Sequence, residues 1–215
     1  MIYYVRTTKD RVLDESYNAL SYIELIDYNH KPIDSFIEQL KIISSDNSVL
    51  LEDDLVLCKD FKNIIEDIIN KYPNYIINFF TKPIKYFTTN INDTFSCNQC
   101  TYYPKGISKI IAEEMENVRK QFPGIKQYDT IEDMAMRRLG IIHVDYRPCI
   151  VQHINKKSLI QDSTLKNMQT YYFIDYLDEL GMKYEDAYKN KSRLEELLKE
   201  KISSDVGTRK KKVEI

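Results

Sequence analysis

Three consecutive carboxylates, Glu52-Asp53-Asp54, follow the apolar run Val49-Leu50-Leu51. Adjacent acids repel by roughly 1 kcal/mol per pair at close range in water, and by more where water is excluded. Such a triplet sits on a solvated turn or beside a cation. Mg²⁺ and Mn²⁺ take oxygen ligands and need few from protein when phosphate oxygens complete their shell. A strand-end triplet therefore suits a nucleotide diphosphate, with alternate side chains reaching a metal and a ribose. Two further groups could join that chemistry. Asp129, Glu132 and Asp133 fall in the first turns of an expected helix. They either complement its dipole or present a general base to an acceptor hydroxyl. His153, ahead of Lys156 and Lys157, is either a structural histidine or a further metal ligand.

The elements that must position these groups can be read from periodicity. Ile2 to Val5 is β-branched and aromatic and predicts a buried strand. A polar loop, Arg6 to Arg11, follows it. Val12 to Leu20 has helical spacing, Tyr22 to Ile26 reads as a strand, and Pro32 opens a helix to about Ile43. Val49 to Leu51 is the third strand. Asp60 is expected to cap a helix over Phe61 to Lys71, and Tyr75 to Phe80 is again strand-like. This β-α alternation predicts a mostly parallel sheet with helices on its faces, and ligands in such sheets bind at strand carboxyl ends. Both the Arg6–Arg11 loop and the acid triplet follow such ends.

Farther on, Ile84 to Thr88 predicts a short strand, Thr101 to Tyr103 a strand and Ile107 to Arg119 a helix. A helix from Asp129 to about Leu139 follows, then strands at Ile141 to Val144 and Cys149 to His153. Helices are expected over Leu165 to Leu180 and Tyr184 to Ile202, and a basic run, Arg209 to Lys212, lies near the end.

Composition removes several function classes. With 5 glycines there is no GxGxxG and no Walker motif, so no glycine-rich phosphate loop. A formal net charge of -2 argues against a strongly electrostatic polyanion binder, although 17 tyrosines and the basic run could stack on or track a strand. Cys97 and Cys100 form one CxxC with no second pair, which points to buried thiols over a metal or redox site. No stretch reaches the length of a membrane span and the first residues lack a signal-peptide pattern, so the expected location is cytoplasmic.

Taken in order, Leu50-Leu51-Glu52-Asp53-Asp54 resembles the DXD-type motif of nucleotide-sugar glycosyltransferases with the GT-A fold. Tyr4-Val5-Arg6-Thr7-Thr8-Lys9-Asp10-Arg11 is similar to the first strand and loop of the lipooligosaccharide and collagen galactosyltransferase group. Cys100 to Ile107 resembles the acceptor-side strand and helix, Ile131-Glu132-Asp133 the Glu-Asp pair of inverting members, and Pro148 to His153 a closing Pro-x-x-x-Gln-His element. The likeness covers residues 1–158, and small phage-encoded glycosyltransferases are similar in size and composition.

The resemblance implies a GT-A-like (Rossmann-like) α/β catalytic domain over 1–160; the helical extension over 161–202 and the basic tail over 203–215 are read from the residues and have no counterpart in it. It implies a nucleotide-sugar site, UDP-sugar favoured, formed by Arg6, Thr7, Asp10, Arg11, Asp27, Glu52 and Asp53. Mn²⁺ or Mg²⁺ would be held by Asp54 and His153, with Asp53 a further candidate ligand, and act as a Lewis acid on the departing diphosphate. Asp133 would be the base, with Asp129 the competing candidate, and transfer would invert the anomeric centre. The acceptor hydroxyl could belong to a glycan, a cell-surface polymer, a protein or a hydroxymethylated base in phage DNA. The alternative is a binding module with a degenerate glycosyltransferase fold, its acids a solvated turn and its C-terminal helices the interaction surface.

Overall fold

The computed structural model describes residues 1–8, 11–27, 31–80, 95, 97–154, 170 and 172–198. The expected strand over Ile84–Thr88, residues 165–169 of the helix expected from Leu165, and the basic tail lie outside these residues; Thr170, Tyr172 and Phe173 are not helical, so that helix begins only at Ile174.

The first half follows the β-α alternation closely. Strand β1 is Ile2–Thr7, β2 is Tyr22–Ile26, helix α1 is Pro32–Ile42 and β3 is Ser48–Glu52. Pro32 sits in the first turn of α1, where its missing N–H costs nothing. Between β1 and β2 the expected helix is only a 3-10 turn, Glu15–Ala19, capped by the Asp14 carboxylate on the Ser16 N–H. After β3 comes a strand the periodicity did not reveal, β4 at Leu55–Leu57, and then helix α2, Phe61–Lys71. Asp60 precedes α2 in a left-handed conformation without a side-chain bond to the helix N-terminus, so it does not cap as expected; its carboxylate accepts from Asn63 Nδ2. Strands β5 (Ile76–Asn78) and β6 (Cys100–Tyr103) precede helices α3 (Ile107–Gln121) and α4 (Tyr128–Leu139). Gly140, at φ 63°, ends α4 in the conformation that glycine adopts without strain. Then come β7 (His143–Asp145), β8 (Val151–His153), α5 (Ile174–Glu179) and α6 (Tyr184–Lys189). Residues 191–198 are helical beyond a break at Asn190.

Six strands form one mixed sheet in the order β2-β1-β3-β6-β5-β7. Pairs β1/β2, β1/β3 and β5/β7 are parallel, and β6 runs antiparallel to both neighbours. The expectation of a mostly parallel α/β sheet flanked by helices holds. Side-chain alternation along β1 and β3 divides the core in two. Tyr3, Val5, Val49 and Leu51 face one layer with Tyr17, Leu20 and the apolar side of α2. Tyr4 and Leu50 face the other, against Phe36, Ile37 and Leu40 of α1 and the inner faces of α3 and α4. The C-terminal helices belong to the first layer: Tyr176, Leu177, Tyr184, Ala187, Leu194 and Leu198 are buried in it. No helix among the described residues is long and apolar enough to cross a membrane.

The two crossovers from β1 to β2 and from β2 to β3 thus pass on opposite faces. The strand order reverses between β1 and β3, which opens a crevice beyond their carboxyl ends. In open α/β sheets that crevice is where ligands bind.

Candidate metal centre

β1 and β3 are in parallel register, with Arg6 opposite Glu52, so both side chains arrive at the crevice together. The chain then turns at Asp53-Asp54 and leaves the main sheet. Its continuation, β4, pairs antiparallel with β8 in a small second sheet that places Leu55 opposite His153. The Ile154 N–H donates to the Asp54 carbonyl at 2.7 Å. This pairing brings His153 back across the whole fold to the acid turn.

Glu52, Asp54 and His153 each offer one ligand atom, and these atoms lie within 4.8 Å of one another. His153 Nε2 is 3.4 Å from Asp54 Oδ2. Burial opposes charge on the imidazole, but the Asp54 carboxylate outweighs it and raises the His153 pKa. Glu52 is pushed up by burial and by the nearby Asp54 charge, against the pull of Arg6 and of the hydrogen bond from Tyr128. Acids raised in this way gain from any added positive charge, whether proton or divalent ion. His153 Nδ1 is buried with no hydrogen-bond partner among the described residues. Two carboxylates and an imidazole are ligand types that a divalent cation accepts.

The other expected site residues divide into those at the crevice and those directed elsewhere. Glu52 lies with Asp54 and His153, whereas the resemblance sets it in the nucleotide-sugar site and offers Asp53 as a further metal ligand. Asp53 faces the β1 loop: the Thr8 N–H donates to its Oδ2 at 3.3 Å, and Arg11 Nε lies 3.8 Å from its Oδ1. Arg6 does not reach out to a ligand. Its guanidinium is wedged between the Phe36 and Tyr128 rings, 4.6 Å from each centroid, and pairs with Glu52 Oε1 at 3.4 Å. Thr7 Oγ1 donates to the Thr8 carbonyl, and the Asp27 N–H donates to the Thr7 carbonyl at the end of β2. Asp10 lies outside the described residues.

The two candidate bases differ. Asp133 is buried; its Oδ1 accepts from the Phe95 N–H and its Oδ2 from Arg137 Nε, both at 2.8 Å. Its neighbour Glu132 is fully buried, accepting at 2.7 Å from the Tyr103 hydroxyl and from Asn98 Nδ2. Burial pushes Glu132 up to about 7 despite those two bonds. Asp129 is only half-buried, in the first turn of α4, and one of its oxygens accepts from the Thr130 N–H.

Two participants escaped the sequence reading. The Tyr128 hydroxyl donates to Glu52 Oε1 at 2.5 Å, and the Tyr17 hydroxyl donates to the Glu52 carbonyl at 2.5 Å. Only the placement of Tyr128 directly before the Asp129 acids hinted at a role. Nothing local distinguishes Tyr17 from the other tyrosines. No protein-family model matches the chain, and no curated protein matches it.

Proposed function

We propose that the chain is a divalent-cation-dependent glycosyltransferase that uses a nucleotide-diphosphate sugar. The observation that carries this reading is the convergence of Glu52, Asp54 and His153 at the β1/β3 crevice. A divalent ion held by these three would neutralise the charge that builds on the leaving diphosphate. Arg6 and Tyr128 fix the Glu52 carboxylate from behind, and Arg11, beside Asp53, is the described cation on the β1 loop that can meet a phosphate. Thr7 and Asp27, at the ends of β1 and β2, border the crevice on the nucleoside side.

In the reaction the bond from the anomeric carbon to the diphosphate oxygen breaks as a bond to the acceptor oxygen forms. The acceptor proton passes to a carboxylate. Asp129 fits this task better than Asp133, whose two oxygens are already bound by an N–H and a guanidinium. A base must be reachable and keep an oxygen open to the acceptor proton. The acceptor is an alcohol, on a glycan, a surface polymer, a protein or a modified DNA base.

The test is a screen of UDP-sugars and other common nucleotide sugars with Mn²⁺ by thermal shift and donor hydrolysis. A metal-dependent rise in Tm with slow hydrolysis is expected, and Asp54→Ala should remove both. Absence of either signal with every donor overturns the reading. Once an acceptor is found by mass spectrometry, Asp129→Asn should stop transfer while sparing donor binding, and transfer that persists would move the base elsewhere.

A further inference from the structure

The loop from β7 to β8 carries a cation that the transferase reading does not use. Arg147 is 8% exposed, and its Nη1 donates to the Tyr146 carbonyl at 3.1 Å and lies 4.0 Å from Cys149 Sγ. No described carboxylate lies within ion-pair distance of it. A guanidinium has five N–H donors, and burying it strips away hydration that a carbonyl and a thiol do not replace. The nearby Tyr172 hydroxyl is also buried without a partner among the described residues. Burial raises the pKa of both Tyr172 and Tyr184, and the Arg147 charge opposes that rise, which places both phenols within its field.

Arg147 opens onto a cleft of about 490 Å³ between its own loop and the turn that joins α5 to α6. Tyr146 and Leu177 wall this cleft, and Lys183 stands exposed at its rim together with Asp178 and Glu185. The lining thus combines one buried positive charge with exposed charges of both signs. It suits a small molecule with a single oxyanion directed inward and hydroxyl groups directed out. Guanidinium presents paired N–H donors that match the two oxygens of a carboxylate or phosphate.

We infer that this cleft binds a hydroxylated small molecule of monosaccharide size through one carboxylate or phosphate group, with buried Arg147 and exposed Lys183 in its lining. The inference is independent of the transferase reading, since it requires neither cation nor nucleotide sugar. Calorimetric titration of the full chain with glucuronate, glucose 6-phosphate and neutral glucose, in the presence of a chelator, tests it. At least one acid should bind saturably where glucose does not, and which acid binds identifies carboxylate or phosphate as the group recognised. Arg147→Gln should weaken that binding by about 30-fold or more, as expected when one member of a buried charge pair is removed. Lys183→Glu, at an exposed position, should weaken it several-fold without altering the circular dichroism spectrum. Failure of both acids to bind better than glucose overturns the inference, as does affinity that survives Arg147→Gln. If Arg147→Gln does not fold, unchanged affinity in Lys183→Glu overturns it instead.

Discussion

Glu52-Asp53-Asp54 and Glu132-Asp133 are both runs of acids beside apolar residues, yet the fold treats them in opposite ways. In the second run every carboxylate oxygen has a protein donor: Tyr103 and Asn98 for Glu132, the Phe95 N–H and Arg137 for Asp133. These acids fasten α4 to the segment leading into β6. In the first run, the side-chain contacts of Glu52 both fall on Oε1, and Asp54 shares space with another ligand-type group, His153. Asp53, within the first run, is answered like the second, by the Thr8 N–H and Arg11, so the difference lies in Glu52 and Asp54, which converge on one another and on His153. A fully answered acid is an internal fastening, and a cluster of acids turned toward one another and a histidine is an opening for a cation.

Substitutions in the two runs can break this contrast. The largest effect is expected for His153→Ala, which should lower Mn²⁺ affinity on the order of 100-fold or more and erase the cation-dependent rise in Tm. Retained affinity in calorimetry would remove His153 from the centre. Next, Asp133→Ala leaves a buried N–H and a guanidinium without their acceptor and should cost about 3 kcal/mol in urea unfolding. Its Mn²⁺ affinity should match wild type; a parallel loss of cation binding would merge the two runs into one site.

A smaller, pH-dependent effect is expected at Glu132. In the folded protein this carboxyl holds its proton up to about 7, and in the unfolded chain only to the ordinary carboxyl value. Folding therefore takes up a proton between the two. The stabilising contribution is complete below the lower value and lost as pH rises through about 7. Glu132→Gln keeps an amide oxygen for Asn98 and removes the titration. The variant should lose less stability than wild type between pH 5 and 8, by on the order of 2 kcal/mol. Parallel pH profiles for the two proteins would show that Glu132 is ionised throughout. The smallest effect belongs to Arg119, which pairs with Asp34 across α3 and α1 with both side chains about half exposed. Arg119→Ala should change stability by no more than about 0.5 kcal/mol, and a larger loss in thermal melts would mean that exposed acids also fasten this fold.

Much of this architecture is legible in the chain itself. The strand at Tyr22–Ile26 and the helix at Phe61–Lys71 have the expected bounds, because alternation and 3.6-residue spacing report which face is buried. β4 is not legible. It has three residues and a partner almost a hundred positions away, so no local period marks it. The antiparallel insertion of β6 is hidden for a similar reason, since a strand's direction is set by its connections. At the site, residue types single out Asp54 and His153, while pairing decides that Glu52 joins them and Asp53 does not. Arg6 shows the limit most clearly: the resemblance sets it in the nucleotide-sugar site, and only packing against Phe36 and Tyr128 reveals it as the support of an acid.

The pairing of β4 with β8 has a consequence in time as well as in space. Leu55 faces His153 across nearly half the chain, so this contact closes a long loop and brings a large entropic cost to its formation. During synthesis, a chain that has emerged only through β7 carries two of the three ligands and has no means of supplying the third. At the proposed metal site, cation capture would be an end-point signal: it would register that β8 has docked in register, and a one-residue slip would turn His153 to the opposite face and silence it.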